Sequence, residues 1–245
     1  MIISAKTDIG AFRDNNQDAF LTGTFVNGDA WAIVCDGMGG VSGGQIASAL
    51  CVEKAAAVIR KGYRNRMSVK SVKNLLESAI SAANAVVFEK SLKDDELKGM
   101  GTTIVAAVIM GSIAVIAYVG DSRAYLVNDT ITQLTKDHSL VQLMIDTGRI
   151  TPEEAKTHPD KNIITRAVGI ENFVDADIEI IDVSPDDKLL LCTDGLSGVV
   201  EDSEIQLIIN EYSNVSAEKL IEKALENGSR DNITAVVFDS VIEGE

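Results

Sequence analysis

Short apolar runs rich in β-branched residues recur along the chain and predict β-strands. Two of these runs are separated only by Gly111-Ser112, which indicates a tight turn between neighbouring strands. The segment RAYLVNDTITQLT likewise predicts a hairpin that turns at Asn128-Asp129. The predicted strands cover residues 2–7, 18–25, 30–35, 103–110, 113–119, 123–128, 188–192 and 233–238.

Apolar residues at helical spacing lie between these runs and predict helices. The predicted helices cover residues 44–61, 68–91, 203–211 and 216–227. The second helix begins at Ser68, and the last two start at the predicted N-caps Ser203 and Ser216. Asn227-Gly228 is typical of a helix C-terminus. Meandering strands with helices grouped in pairs are typical of an α+β fold with mainly antiparallel sheets.

The chain has 245 residues, of which 46% are hydrophobic, so it can bury a sizeable core. Repeats, low-complexity tracts and Pro/Gly/Ser linkers are absent from the sequence, and we therefore expect one domain over residues 1–245. Residues 136–172 contain many polar and turn-forming residues. We expect this segment to be a flap-like excursion over a site, because long irregular segments are often functional lids.

The formal net charge of −15 argues against a nucleic-acid-binding or anionic-membrane-binding surface, since both favour Lys and Arg. Residues 102–120 are uncharged, but the central Gly-Ser pair favours two buried strands over a membrane-spanning helix. Cys35, Cys51 and Cys192 form no CxxC pair, and we expect small buried thiols in a reducing compartment. Without a signal-peptide pattern at its start, the sequence predicts a soluble cytoplasmic protein.

Aspartates stand at the ends of several predicted core strands. They are Asp36, Asp121, Asp194 and Asp231. A single aspartate in such a place is usually only a turn residue. Carboxylates gathered at one end of a sheet would repel one another, and a divalent cation relieves that repulsion. Carboxylate, carbonyl and water oxygens are the ligands of Mg²⁺ or Mn²⁺, so the pattern indicates a site for a hard divalent ion.

The glycine-rich stretch WAIVCDGMGGVSGG (residues 31–44) could instead cradle a phosphate. It fails the G-x-G-x-x-G pattern at Ser42, and it lacks the Gly-Lys-Ser/Thr of a P-loop. Gly37 after Asp36 would let a main-chain carbonyl approach an ion. The histidines, His138 and His158, lie in the flap-like segment and away from the strand ends. We expect them to form structural hydrogen bonds, and their scarcity argues against zinc or copper.

The order of the motifs is similar to that of a known family. The matching segments are TDIGAFRDNNQDAF (7–20), VCDGMGG (34–40), GMGTTIVAAVI (99–109), YVGDSRAYL (118–126), residues 137–169, LLLCTDGL (189–196) and SRDNITAVV (229–237). Together they resemble the type 2C metal-dependent protein serine/threonine phosphatases, in their compact bacterial form. The resemblance implies a four-layer α-β-β-α sandwich, with two mainly antiparallel sheets flanked by helix pairs.

The resemblance also implies metal ligands. Asp36 would bridge two ions, Mn²⁺ or Mg²⁺, and the carbonyl of Gly37 would bind the first of them. Asp194 and Asp231 would complete the second ion, and Asp121 with Asp194 would hold a third. Asp18 would lie near the site and act through bound water.

The implied reaction is hydrolysis of phosphoserine or phosphothreonine by a water or hydroxide that bridges the ions. Arg13 would grip the substrate phosphate and, with the ions, offset its charge. Phosphorylated proteins would be the partners, a bacterial Ser/Thr kinase among them, and the protein would act as a monomer away from nucleic acid and membrane. Cys192 is a poor nucleophile candidate, because Gly198 stands where a C-x5-R phosphatase loop needs arginine.

The chain departs from the family pattern at three positions. Met38 stands where many eukaryotic relatives carry a histidine that is a candidate general acid, and methionine cannot donate a proton. Gln17 and Gln45 replace acidic residues that are frequent in the family. Two other hypotheses stay open on the sequence. One is a non-catalytic module that binds phosphoproteins, and the other is a phosphohydrolase of small molecules.

Overall fold

The computed structural model describes residues 1–239, in which two antiparallel β-sheets pack face to face. One sheet has the strand order β1-β11-β10-β7-β8, and the other has the order β2-β3-β5-β6-β9 with β4 paired to β3. The strands are β1 (Ile2–Asp8), β2 (Asp18–Thr24), β3 (Ala30–Met38), β4 (Gly101–Thr102), β5 (Ile104–Met110), β6 (Ile113–Val119), β7 (Arg123–Val127), β8 (Ile131–Gln133), β9 (Asp177–Asp182), β10 (Lys188–Cys192) and β11 (Ile233–Asp239).

Two pairs of helices cover the outer faces of the sheets. The helices of the described residues are α1 (Gly40–Gly62), α2 (Val69–Lys93), α3 (Leu140–Asp146), α4 (Pro152–Lys156), α5 (Asp194–Ser197), α6 (Asp202–Tyr212) and α7 (Ser216–Glu226). Two 3₁₀ turns lie at Asp95–Leu97 and Ser213–Val215. The α1–α2 pair packs on the β3-containing sheet, and the α6–α7 pair packs on the β10-containing sheet.

The strands place alternate residues on opposite faces, which produces separate apolar layers. In β3, Ile33 contributes to the layer beneath α1 and α2, whereas Val34 contributes to the layer between the two sheets. Leu189 and Phe238 fill this inter-sheet layer from the other sheet. The predicted α+β class and the α-β-β-α sandwich of antiparallel sheets are therefore confirmed.

The prediction that the first helix begins at residue 44 is wrong, because α1 begins at Gly40. Glycine disfavours helix formation, so the glycine run looks like a loop in the sequence. A Cβ on Gly43 would lie 3.1 Å from Cβ of Met100, and one on Gly44 would lie 2.6 Å from the carbonyl oxygen of Gly37. Gly44 thus packs too closely on the end of β3 to carry a side chain, and Gly43 lies tightly against Met100, the residue before β4.

The predicted N-caps Ser203 and Ser216 are also wrong. Ser68 caps α2 and accepts a hydrogen bond from the Ser71 amide at 3.2 Å. The N-caps of α6 and α7 are instead Glu201 and Val215, and neither side chain caps its helix. The 3₁₀ turn at Ser213–Val215 leads directly into α7, so Ser216 is the first residue of the helix and not its cap. Its side chain is buried.

Strand β9 has no counterpart among the predicted strands. Its sequence DIEIID alternates acidic residues with isoleucines, and acidic residues are depleted in strands. It pairs only with β6 and forms an edge of its sheet, where charged side chains discourage pairing with other chains. Within residues 1–239, no helix has the length and apolar character needed to cross a membrane.

Candidate active site

A cavity of ≈ 640 Å³ opens where the ends of the two sheets meet. The residues expected to carry chemistry that line its wall are Arg13, Asp36, Gly37, Asp121, Asp194 and Asp231. Asp18 is buried behind the wall. Asn162 and Ile164, from residues 136–172, also line the cavity.

The sequence predicted that Asp36 lies at the end of its strand, but β3 continues to Met38 and Asp36 lies inside it. Its main chain is held on both sides. The Asp36 amide donates to Thr103 Oγ1 at 2.9 Å, and the Asp36 carbonyl accepts from the Thr103 amide at 2.8 Å and from Thr102 Oγ1 at 2.8 Å. Burial, with Asp18 and Asp194 nearby, raises the pKa of Asp36 well above its usual value.

Asp18 joins the two sheets at the base of the cavity. It is paired with Asp36 in the β2–β3 register, and its Oδ2 accepts from Thr193 Oγ1 at 2.9 Å and Thr234 Oγ1 at 2.7 Å. Burial raises the pKa of Asp18 to about 7. Neither threonine was predicted to be functional, because each stands in an apolar strand context with no sign of its distant partner.

Asp194 and Asp121 extend this acidic cluster. Asp194 is the first residue of α5, and burial together with Asp231 raises its pKa. Asp121 follows β6, and burial together with Asp194 raises its pKa to about 8. Each carboxyl group is thus held where its charged form is disfavoured in the absence of a counter-charge.

Arg13 is bound to one of the predicted metal ligands. Its Nη2 donates to Asp231 Oδ2 at 2.6 Å, and both side chains are partly exposed to the cavity. The arginine therefore lies beside the acidic cluster. Hydrogen bonding to Asp231 raises the pKa of Arg13, which stays charged.

Asn232 fixes the loop that carries Arg13, and sequence reasoning missed it. Its side chain is 3% exposed. Nδ2 donates to the carbonyls of Ile9 at 2.8 Å and Asn15 at 3.0 Å, and Oδ1 accepts from the Gln17 amide at 2.8 Å. The sequence offered one indication of this role, namely a polar residue directly before the buried strand β11.

The departures from the family pattern have different surroundings. Gln17 lies in the cavity wall, where its Nε2 donates to the Gly40 carbonyl at 2.8 Å. Met38 also lies in the wall and is half-buried, so it places a thioether where a proton donor was considered. Gln45 is exposed on α1.

Both histidines form hydrogen bonds outside the cavity wall, as expected. His138 Nδ1 accepts from the buried Gly120 amide at 3.0 Å, and His158 Nδ1 accepts from the Asp160 amide at 3.1 Å. Cys192 is buried, and burial raises the pKa of its thiol to about 12, so it is protonated at neutral pH. The three cysteines are free and buried, as predicted.

The cluster fits a hard divalent cation. Asp18 Oδ1 and Asp194 Oδ1 are buried without hydrogen-bond partners among the described residues, although buried oxygens normally have them. Within residues 1–239, no three acidic, histidine or cysteine side chains already form a group that could hold a metal. Arg13 donates to Asp231 Oδ2 at 2.6 Å, so this carboxylate would have to exchange the arginine for the ion.

Comparison with known proteins agrees with this chemistry. The family model described as protein phosphatase 2C matches residues 13–228. The serine/threonine phosphatase Stp of Listeria innocua is 38% identical over 242 residues, covering 96% of this chain and 94% of that protein.

Solved structures extend the match. The crystal structure of the serine/threonine phosphatase Stp1 from Staphylococcus aureus has a TM-score of 0.91 and 37% identity, with 100% of this chain and 96% of that chain covered. The catalytic domain of the phosphatase PstP in complex with two manganese ions has a TM-score of 0.83 and 34% identity, with 96% of each chain covered. The present chain belongs to the protein phosphatase 2C family.

Proposed function

We propose that this chain is a Mn²⁺- or Mg²⁺-dependent phosphatase that hydrolyses phosphoserine and phosphothreonine in proteins, and that residues 1–245 form a single phosphatase domain. The observation that carries the proposal is the convergence of Asp36, Asp121, Asp194 and Asp231 on one cavity beside Arg13. The serine/threonine phosphatase relatives and the manganese-bound PstP structure support it.

The acidic cluster supplies the ligands. Asp36 and the Gly37 carbonyl would hold the first ion, and Asp36, Asp194 and Asp231 the second. Asp121 with Asp194 would hold a third, and Asp18 would act through water. When bound, the ions supply a water nucleophile that is acidic enough to ionise near neutral pH. A Cβ at Gly37 would collide with the Gly44 carbonyl, so only glycine fits beside Asp36.

Arg13 would bind the phosphate of the substrate. Its guanidinium now donates to Asp231, so an ion at Asp231 would compete for that carboxylate and leave guanidinium donors for phosphate oxygens. The charge of Arg13 would then stabilise the phosphoryl group as the bond to the serine or threonine oxygen breaks.

The leaving oxygen would take its proton from water, or leave without that help. Met38 has no proton to give, and neither histidine lines the cavity. Gln17, another position where the chain departs from the family pattern, has an amide donor, but this amide donates to the Gly40 carbonyl. We therefore assign no general acid among the side chains of the cavity wall.

The test is phosphate release from a phosphothreonine peptide with added Mn²⁺. Asp36→Asn and Asp194→Asn should lower kcat on the order of 10²–10³-fold, since each removes charge that stabilises the reacting groups. Asp129→Asn is a matched control, because Asp129 is exposed in the β7–β8 turn. Equal rates after chelation, or in the Asp36 variant, would refute the proposal.

The same assay separates the two other hypotheses. Binding of phosphopeptide without turnover at saturating Mn²⁺ would favour a non-catalytic module. Faster turnover of small phosphate esters than of phosphopeptides would favour a small-molecule phosphohydrolase.

We further propose a cytoplasmic monomer whose substrates include a bacterial Ser/Thr kinase. Free, buried cysteines are consistent with a reducing compartment. A kinase that phosphorylates itself would be a phosphoprotein of the required chemistry, and dephosphorylation of such a kinase in vitro is the direct check. Sedimentation of the purified protein measures the oligomeric state.

A further inference from the structure

Phe12 is an apolar side chain held in the open at the mouth of the cavity. It is 60% exposed and lines the cavity wall next to Arg13. The loop that carries both residues is fixed by the buried side chain of Asn232. Aromatic side chains are frequent in the walls of ligand sites, where a few polar groups beside them fix the orientation of the ligand.

Arg230 lies over this ring. Its guanidinium carbon is 5.2 Å from the centroid of Phe12, within the range of a cation–π contact. Arg230 is exposed, and within residues 1–239 it has no acidic partner at salt-bridge distance. The neighbouring Asp231 is bound by Arg13 instead. The guanidinium of Arg230 is thus oriented by the ring while its donors face solvent.

The charge around this pair is otherwise negative. Apart from Arg13, the charged side chains that line the cavity are Asp14, Asp36, Asp121, Asp194 and Asp231. Bound metal ions would offset the charge of the aspartates, whereas Arg230 adds a positive charge beside the cavity that is available to an acidic group on a substrate. Phe12 directly precedes Arg13, so the Cα atoms of these two residues are about 3.8 Å apart, and the pair lies beside the residue proposed to bind the phosphate.

We propose that Phe12 and Arg230 form a subsite for an acidic side chain located one or two residues from the phosphorylated residue of a protein substrate. The proposal rests on the phosphatase function proposed above. Phe12 provides a platform that holds the guanidinium in place, and Arg230 provides the charge and the hydrogen-bond donors that a carboxylate accepts.

The experiment compares phosphothreonine peptides that differ only in carrying Glu, Ala or Lys at one position, up to two residues on either side of the phosphothreonine. The ratio of kcat/KM for the Glu peptide to that for the Ala peptide should be about two- to five-fold at one of these positions, as expected for an exposed ion pair. Arg230→Ala should bring this ratio to about one. Arg230→Glu should reverse the preference, so that the Lys peptide is hydrolysed fastest.

Arg60→Glu is the matched control. Arg60 is also exposed and lies over an aromatic ring, 5.9 Å from the centroid of Trp31, but it is on α1, and Trp31 does not line the cavity as Phe12 does. It carries the same change in charge and should keep the wild-type ratio. Because only ratios between peptides are compared within each variant, a general loss of activity does not affect the result.

A wild-type ratio of about one at every position would overturn the subsite and leave the phosphatase function standing. An equal change of ratio in Arg60→Glu would also overturn it, since the preference would then come from the overall field. Absence of hydrolysis for every phosphopeptide would overturn the proposed function, and the subsite with it.

Discussion

At the scale of single residues, Gln17 joins two backbone segments of the cavity wall. Its side-chain Nε2 donates to the Gly40 carbonyl at 2.8 Å, and its main-chain carbonyl accepts from the Gly37 amide at 3.0 Å. A carboxylate has no proton to donate to the Gly40 carbonyl. The amide at this position therefore stabilises the connection between β3 and α1, which accounts for one departure from the family pattern.

Gln17→Glu should lower the free energy of unfolding of the metal-free protein by about 0.5–1.5 kcal/mol, because one hydrogen bond is lost. The measurement is the midpoint of urea unfolding in the presence of a chelator. Gln45→Glu is the control, since Gln45 is exposed on α1 and its substitution should change stability by less than about 0.5 kcal/mol. Equal losses in both variants would show that added negative charge, and not the hydrogen bond, is responsible.

At the scale of elements, the loop between β1 and β2 depends on a residue from the other end of the chain. Asn232, directly before β11, makes three hydrogen bonds to the main chain of this loop. The loop presents Arg13 and Phe12 to the cavity. Substrate binding is thereby coupled to the packing of β11 beside β1.

Asn232→Ala should lower kcat/KM for a phosphopeptide by about 10- to 100-fold, because a displacement of about 1 Å can cost that much. Most of the loss should be in KM, since Arg13 would be misplaced while the carboxylates remain. Steady-state kinetics at saturating Mn²⁺ measures both parameters. Asn74→Ala, an exposed change on α2, should leave them unaltered, and an unaltered KM in Asn232→Ala would contradict the assignment.

The elements with local signals could be predicted from the sequence, and those set by distant contacts could not. Apolar runs identify β5, β6 and β11 because these strands are buried on both faces. The start of α1 is set by contact with Gly37 and Met100, and β9 is held by β6 despite its acidic composition. Local propensity opposed both structures.

The same distinction holds within the cavity. The aspartates stood out because polar residues interrupt apolar runs, and the family resemblance assigned them roles. Thr193 and Thr234, which bind Asp18, and Asn232, which fixes the Arg13 loop, have partners roughly two hundred positions away in the chain. Nothing near these residues in the sequence indicates those partners.

At the scale of the whole molecule, the inter-sheet layer holds the two halves of the cavity together. Phe238 is 1% exposed in this layer, where it packs with residues such as Val34 and Leu189. Phe238→Ala should lower the free energy of unfolding by about 3–5 kcal/mol, through lost burial and a cavity. Leu207→Ala is a control, since Leu207 is 67% exposed, and urea unfolding measures both. A loss below about 1 kcal/mol for Phe238→Ala would contradict this view of the core.

Folding brings carboxyl groups from both sheets together, and this lowers the free energy of unfolding of the metal-free protein when they are ionised. The folded-state pKa of Asp18 is about 7 and that of Asp121 is about 8, both above the usual 3.8, because burial disfavours the charged form. Near neutral pH the folded protein therefore retains protons that the unfolded chain has lost. Stability must fall as pH rises through this range, because the unfolded state binds fewer protons.

The expected result is a decrease in the unfolding free energy of the metal-free protein by at least about 1 kcal/mol between about pH 6.5 and 8, since one pKa unit corresponds to about 1.4 kcal/mol. Burial lowers the pKa of His138 below its usual 6.5, so His138 makes a contribution of opposite sign that fades as pH rises above 6.5. Asp121→Asn should reduce this decrease in unfolding free energy.

Saturating Mn²⁺ should restore stability most strongly at pH 8, where the carboxylates are ionised and ready to bind. Urea unfolding with chelator or Mn²⁺ measures each case, and a metal-free protein whose stability stays constant or rises from pH 6.5 to 8 would show that the buried carboxyl groups are not protonated as the geometry requires.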